Sequence, residues 1–185
     1  MTEQTRSLYV VVCAAGPARD VGILVGMAQE EGWTVQVIAT PAAVGFIDVK
    51  ALEQQTGRPV RHTHRKPGQP RSPKADAIVV APATFNTINK LANGIADNYA
   101  LDVVNEAIGL GVPIVVLPFV NSAYGKRAPF RKNIDLLRRE GVSVVFGESR
   151  LHDPGEGEAS GRKFPWRLAI DSVSSADGSE NGSGN

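Results

Sequence analysis

From Leu8 to Ala15 the chain reads LYVVVCAA, an unbroken apolar run, partly β-branched, that stops at Gly16-Pro17. A strand covered on both faces reads this way, because neither of its sides meets water. ARDVGILVGMAQEEG follows, with Val21, Leu24, Val25 and Ala28 at helical spacing and Gly32 to close it. In WTVQVIAT, Val35, Val37 and Ala39 alternate with Thr34, Gln36 and Ile38, and Pro41 opens a further helix, AAVGFIDVKALEQQTG. The basic, proline-rich segment RPVRHTHRKPGQPRSPK interrupts the alternation. It resumes with strand ADAIVVAP, helices within TINKLANGIADNYALDVVNEAIGLG, strand VPIVVLP, helix RKNIDLLRREG and strand VSVVFG. Strands alternating with helices predict a single α/β domain, Rossmann-like or flavodoxin-like, with a parallel sheet, right-handed crossovers and helices on both faces.

Two stretches depart from the pattern. GESRLHDPGEGEASGRKFPW, residues 147–166, is rich in glycine and charge yet carries Phe164 and Trp166, which suits a substrate flap. DSVSSADGSENGSGN, residues 171–185, has the composition of a disordered tail, so the folded domain is expected over residues 1–170.

Composition narrows the function classes. At 185 residues and 42% hydrophobic, the chain has enough apolar content for one sizeable core or a subunit of an assembly. Twenty Lys and Arg against 19 Asp and Glu leave a formal charge of +1, so no global field points to nucleic acid or an anionic membrane. The one cysteine, Cys13, excludes an internal disulfide and a multi-cysteine metal site, and a reducing cytoplasm is the expected location. The polar start MTEQTR followed by a short apolar run does not read as a signal peptide, and no apolar stretch reaches membrane-spanning length.

Open parallel sheets bind ligands beyond the carboxyl ends of their strands, where helix N-termini present N–H groups without partners. That picks out three loops: AAGPARD, ATPAA and APATFNT. None carries G-x-G-x-x-G or a P-loop lysine, which argues against a plain dinucleotide or ATP site. Gly16, Thr40, Thr84 and Thr87 suit one phosphate and a polar ring system. Thr84 and Asn86 also suit plain helix capping.

The residues themselves carry a resemblance. PATFNT, residues 82–87, resembles the Pro-Ala-Ser-Ala-Asn-Thr motif of the flavin-containing cysteine decarboxylases, which include phosphopantothenoylcysteine and lantibiotic decarboxylases. INKLANGIADN is similar to that family's Gly-Lys-Ile-Ala-x-Gly-x-x-Asp-Asn continuation, and LPFVNSAY to its Pro-x-Met-Asn-x-x-Met motif, with Pro118 and Asn121 kept. TPAAVGFI resembles its Thr-x-x-Ala-x-x-Phe-Ile. The likeness runs in order from Leu8 to Phe146.

The resemblance implies FMN as cofactor. Gly16, Pro17 and Ala18 would lie at the phosphate turn, Thr40 after the second strand, and Thr84, Phe85, Asn86 and Thr87 at the phosphate and isoalloxazine, with Phe119 near the flavin through its backbone. It also implies a homo-oligomer, trimer or dodecamer, with flavin between subunits and a cysteine-containing peptide or small molecule as substrate. In that chemistry a histidine acts as base and the motif asparagine binds the departing carboxylate. RPVRHTH aligns His62 as the base, with His64 as the nearby alternative, and Asn121 as the carboxylate residue. Both histidines equally suit a solvated basic loop.

Departures bear on the substrate. Pro17 removes a backbone donor from the first turn, while Arg19 and Asp20 bring charge to it. Relatives acting on phosphopantothenoylcysteine use a flap cysteine to reduce the enethiolate, and no cysteine follows Cys13. The expected activity is therefore oxidative decarboxylation of a peptidyl C-terminal cysteine to an enethiol. A flavin prenyltransferase-like enzyme, with Arg127 and Arg131 as phosphate ligands, and a non-decarboxylating FMN-binding protein are the alternatives.

Overall fold

The structure, a computed structural model, describes residues 6–69, 71–147, 151–157 and 164–178. Its strands are Ser7–Val12 (β1), Thr34–Ala39 (β2), Ala77–Ala83 (β3), Ile114–Pro118 (β4) and Ser143–Val144 (β5). All pair in parallel in the order β2-β1-β3-β4-β5. The helices are Val21–Glu30 (α1), Val49–Thr56 (α2), Phe85–Ala92 (α3), Tyr99–Gly109 (α4), Ser122–Gly125 (α5), Ala128–Arg139 (α6) and Trp166–Gly178 (α7). This is the expected α/β, flavodoxin-like sheet.

Strand alternation assigns the two faces. Leu8, Val10 and Val12 join one core with Leu24 and Val25 of α1, Leu52 of α2 and Ile170 of α7. Tyr9, Val11 and Cys13 join the other with Ile88 of α3, Leu101 and Val104 of α4, and Phe130, Ile134 and Leu137 of α6. Burial on both sides explains why the strands read as continuous apolar runs. From β1 the chain turns outward to β2 and returns across β1 to β3, so the strand order reverses between β1 and β3. Ligands bind open sheets of this kind outside the carboxyl ends of the strands flanking that crevice.

The structure corrects several boundaries. The helices expected directly after β1 and β2 each begin as 3₁₀ turns, Gly16–Asp20 and Pro41–Phe46, each with a proline in its first turn. α2 starts afresh after Asp48, whose side chain accepts the Ala51 N–H at 3.0 Å, and closes at Gly57 with φ 67°. The strand expected in VSVVFG pairs only at Ser143 and Val144.

The tail is the larger correction. Residues 171–178 continue α7 instead of being irregular, because Trp166, Ala169, Ile170 and Val173 stand at i, i+3, i+4 and i+7 and are all buried. Arg167 adds an ion pair to Glu31 of α1 at 2.7 Å. The remainder of the expected tail, 179–185, lies outside the described residues, as do 148–150 and 158–163 of the expected flap.

Candidate functional site

The ends of β1 and β2 are tied together by the Thr40 N–H to Val12 O bond at 3.0 Å, and those of β1 and β3 by Cys13 N–H to Pro82 O at 3.2 Å. Phe119 N–H donates to Ala83 O at 2.8 Å, joining β3 to β4. The loops carrying Gly16, Thr40, Thr84 and Phe119 therefore sit side by side along one edge of the sheet. In the first, Gly16, Pro17 and Ala18 form the 3₁₀ turn, Ala18 is buried, and Arg19 Nε folds back onto Gly16 O at 3.2 Å. That bond holds a guanidinium beside the turn whose donor count Pro17 reduces. Thr40 is buried and leads into the second turn.

α3 begins with a side-chain cap. Thr84 is extended, its Oγ1 accepts the Thr87 N–H at 3.3 Å, and its hydroxyl pairs with Thr87 Oγ1 at 3.2 Å. Ile88 N–H reaches Thr84 O at 3.0 Å, so the first turn's remaining outward donors are the Phe85 and Asn86 amides. Asn86 is exposed, whereas Thr87 is buried. Capping and ligand binding are thus compatible at this helix start: one hydroxyl fixes the turn and two amides remain at its mouth. Asn89, from the same polar cluster, faces elsewhere and accepts from Asn133 of α6 at 2.8 Å.

Cys13 lies beneath this turn. Burial raises its thiol above the ordinary 9.0, opposed by hydrogen bonds with the Thr87 side chain and with the Thr84 backbone and side chain. A thiol held neutral is a poor nucleophile, so it serves as core. Among the described residues, no group of three His, Cys, Asp or Glu is placed to hold a metal ion.

At the end of β4, Asn121 caps α5: its Oδ1 accepts the Tyr124 N–H at 3.0 Å. The acceptor half of the amide is occupied, and Nδ2 is the half left for a ligand. Phe85 stacks on Tyr124 at 4.4 Å and leans on Phe130 at 5.1 Å, which joins the Thr84 turn to the Asn121 turn through an aromatic wall.

Sequence reasoning missed His152. Residues 151–157, within the expected flap, dock against β4: Asn121 and His152 form a parallel bridge, Ser122 N–H donates to His152 O at 2.8 Å, and the imidazole stacks on Phe119 at 4.5 Å. Leu151 seats over Gly125, where an added Cβ would come within 2.6 Å of its side chain. Nothing periodic marks this segment. Its glycine and charge content suggested mobility, and the one cue to docking was a pair of apolar and aromatic residues, Leu151 and His152, among polar neighbours.

The expected base stands apart. Arg61 pairs with Ile38 on the outer side of β2, and His62 follows it, exposed. Four strand spacings separate that position from Asn121, about 19 Å at the usual interval. The parallel sheet alone therefore does not bring His62 to Asn121 within one chain. His64 is held at 3.1 Å to Asp102 of α4 and packs edge-on to Tyr99. It lines an open groove of about 700 Å³ with Tyr9, Ile78 and Val112, beside the opposite ends of the strands. Arg131 Nε is bonded to Gly125 O at 2.9 Å, so it serves the α5–α6 junction, and Arg127 is exposed at the start of α6.

Comparison with known proteins adds the family. The Flavoprotein family model matches residues 2–167. The coenzyme A biosynthesis bifunctional protein CoaBC of Vibrio vulnificus is 30% identical over 139 residues, covering 70% of this chain and 34% of its own. The chain thus spans about a third of the length of the bifunctional relatives it matches. A probable phosphopantothenoylcysteine decarboxylase of Streptococcus mutans is 31% identical over 127 residues, 65% of this chain and 70% of that one. Among solved structures, the epidermin biosynthesis protein EpiD of Staphylococcus aureus aligns with TM-score 0.64 at 26% identity, covering 76% of this chain and 82% of its own.

Proposed function

From the premise that this chain belongs to the Flavoprotein family, we propose that it binds FMN and oxidatively decarboxylates a peptide ending in cysteine, releasing an enethiol. The observation that carries the reading is the continuous edge built by the Gly16, Thr40, Thr84 and Phe119 loops, ending at the Asn121 cap. The donor set fits FMN. A phosphate is held by helix-start amides and a cation, and this edge offers the Phe85 and Asn86 amides, in a turn fixed by the Thr84 hydroxyl, and Arg19. Gly16, Pro17, Ala18, Thr40 and Thr87 shape the floor of the same edge, and Phe119 and Phe85 bring apolar surface to a ring system. Solved relatives described as FMN-dependent cysteine decarboxylases share the fold.

Bound FMN supplies a two-electron oxidant for the cysteine Cα–Cβ–S unit. Asn121 Nδ2 points its N–H at the substrate carboxylate, orienting it before it leaves as carbon dioxide. A histidine takes the thiol proton and returns it to the enethiolate, closing the proton balance. His62 is the assigned base, and its distance from Asn121 within one chain makes the site one shared between two copies: His62 from one faces Asn121 of the next. The homo-oligomer is thus part of the function. The absence of a cysteine after Cys13 removes the family's reductant for the enethiolate, which is why the product is the enethiol and the substrate a peptide.

The test is direct. Purified protein should show flavin absorbance, release FMN on denaturation, and be bleached anaerobically by a peptide ending in cysteine with loss of one carbon dioxide per flavin. Phosphopantothenoylcysteine bleaching the flavin faster than any such peptide would reject the peptide assignment.

A further inference from the structure

The flap segment places a titratable ring directly beside Asn121, where nothing in the reaction so far uses it. In a parallel bridge the paired residues project to the same face, and so do residues two apart on a strand. Phe119, Asn121 and His152 therefore share one face, consistent with the 4.5 Å stack between the Phe119 and His152 rings. Gly157 lies along the edge that the two rings share, where a Cβ would approach His152 Cε1 at 3.3 Å and both His152 Nε2 and Phe119 Cε1 at 3.8 Å, so the absence of a side chain there leaves the Nε2 edge open. A ring stacked on Phe119 by one face and flanked at its edge by a glycine has its orientation set by packing.

Its nitrogens are then distinguishable. Nδ1 lies 3.0 Å from Asp153 O, and a carbonyl only accepts, so Nδ1 carries the proton of that bond. Nε2 is the free nitrogen, and on protonation it becomes a second donor. Asn121 is constrained in the complementary way, with Oδ1 engaged by Tyr124 N–H and Nδ2 left to donate. The juxtaposed amide and imidazole thus offer two donors from adjacent strand-like segments.

We infer that Asn121 Nδ2 and His152 Nε2 form a two-donor clamp for the free carboxylate of the substrate's last residue, making His152 a specificity-determining residue for a C-terminal acid. The inference rests on the peptide-decarboxylase reading for the identity of the substrate and on this chain's own geometry for the clamp. A carboxylate against Nε2 favours the imidazolium. Among the described residues, the β4 extension contributes Phe119, Val120 and Asn121, all uncharged, and α5 contributes one titratable group, Tyr124, turned to Phe85. On the segment itself Asp153 and Glu156 are exposed. The clamp therefore gains its second donor only with the imidazole protonated, a form that acid favours.

The experiment measures binding without turnover. Two peptides ending in serine, identical except that one has a free carboxylate and the other an amide, are titrated against the purified flavoprotein from pH 6 to 8. A charge-assisted hydrogen bond predicts that wild type prefers the acid by about tenfold or more at pH 6, with the preference shrinking toward pH 8. His152→Asn keeps a donor for Asp153 O and removes Nε2. It should bring the two peptides within about twofold of each other at every pH, with flavin content and melting midpoint unchanged. Acid preference that survives in His152→Asn, or wild-type protein that binds both peptides alike or neither, overturns the clamp. Anaerobic bleaching by the matching cysteine peptide is scored separately. A His152-dependent acid preference without bleaching retains the clamp and rejects decarboxylation, and bleaching without that preference does the reverse.

Discussion

At the scale of single residues, Asn121 separates structure from chemistry in one side chain. Its Oδ1 holds the start of α5 while its Nδ2 is the proposed carboxylate donor. Asn121→Asp keeps a capping oxygen but sets a negative charge against the substrate's carboxylate, so turnover should fall at least a hundredfold with the melting midpoint nearly unchanged. Asn121→Ala loses both and should also cost about 1 kcal/mol of stability, the usual value of a cap. Equal turnover in Asn121→Asp and wild type would remove Asn121 from the reaction. Cys13 makes a second prediction at this scale. Burial raises its thiol above 9.0 and the Tyr9 and Tyr99 phenols above 10.0. The folded chain then holds protons the unfolded chain releases, so stability is complete below about pH 9 and declines as pH climbs through 9 and 10. Urea midpoints at pH 7.5 and pH 9.5 should show the decline, and Cys13→Ser should remove the part that begins near pH 9. The threonines and Asn121 were readable from the sequence because capping residues at strand ends announce themselves by type and position. His152 was not, because its role depends on a bridge to a residue 31 positions earlier, Asn121.

Among the elements, α7 carries the clearest lesson. Serine, glycine and acidic content from Asp171 onward suggested disorder, yet the stripe Trp166, Ala169, Ile170, Val173 crosses the assumed boundary and seals α1 and the sheet. A boundary at Asp171 cuts that period in half. Ending the chain after Gly178 should leave the melting midpoint within a degree or two of the full chain's, whereas ending it after Phe164 should yield protein that aggregates or fails to melt cooperatively, because the apolar faces of α1, β3 and β4 lose their cover. Ile170→Ala, which leaves a cavity at a fully buried site, should cost about 3 kcal/mol in urea unfolding. Full stability in the Phe164 truncation would mean α7 is dispensable. The four longer strands, by contrast, were visible in place and order, since burial on both faces writes itself as apolar runs, while their ends and the short β5 were not. The 3₁₀ turns at Gly16 and Pro41 were not, because proline early in a turn reads the same before either kind of helix.

For the whole molecule, the strand order decides where the proposed site can form. Asn121 follows β4, and His62 follows a bridge on the outside of β2, with β1 and β3 in between. Side chains reach a few ångströms, so about four strand spacings are not spanned by rotamer changes. His64 does not fill the gap, being tied to Asp102 and Tyr99 beside the opposite strand ends. A working site with His62 as base therefore requires that the β2 side of one copy meet the carboxyl end of β4 in another, a contact that a two-fold dimer or a closed ring supplies. Subunit exchange tests this arrangement. His62→Ala and Asn121→Ala should each be inactive as pure assemblies, but a mixture refolded or exchanged together contains junctions where an intact His62 faces an intact Asn121. With equal amounts and random assembly, about a quarter of the junctions are of that kind, and about a quarter of wild-type bleaching should return. A mixture as inactive as its parents, in protein shown by light scattering to have exchanged, would mean that the two residues do not meet between copies and that the base must be sought on the β4 side of the sheet.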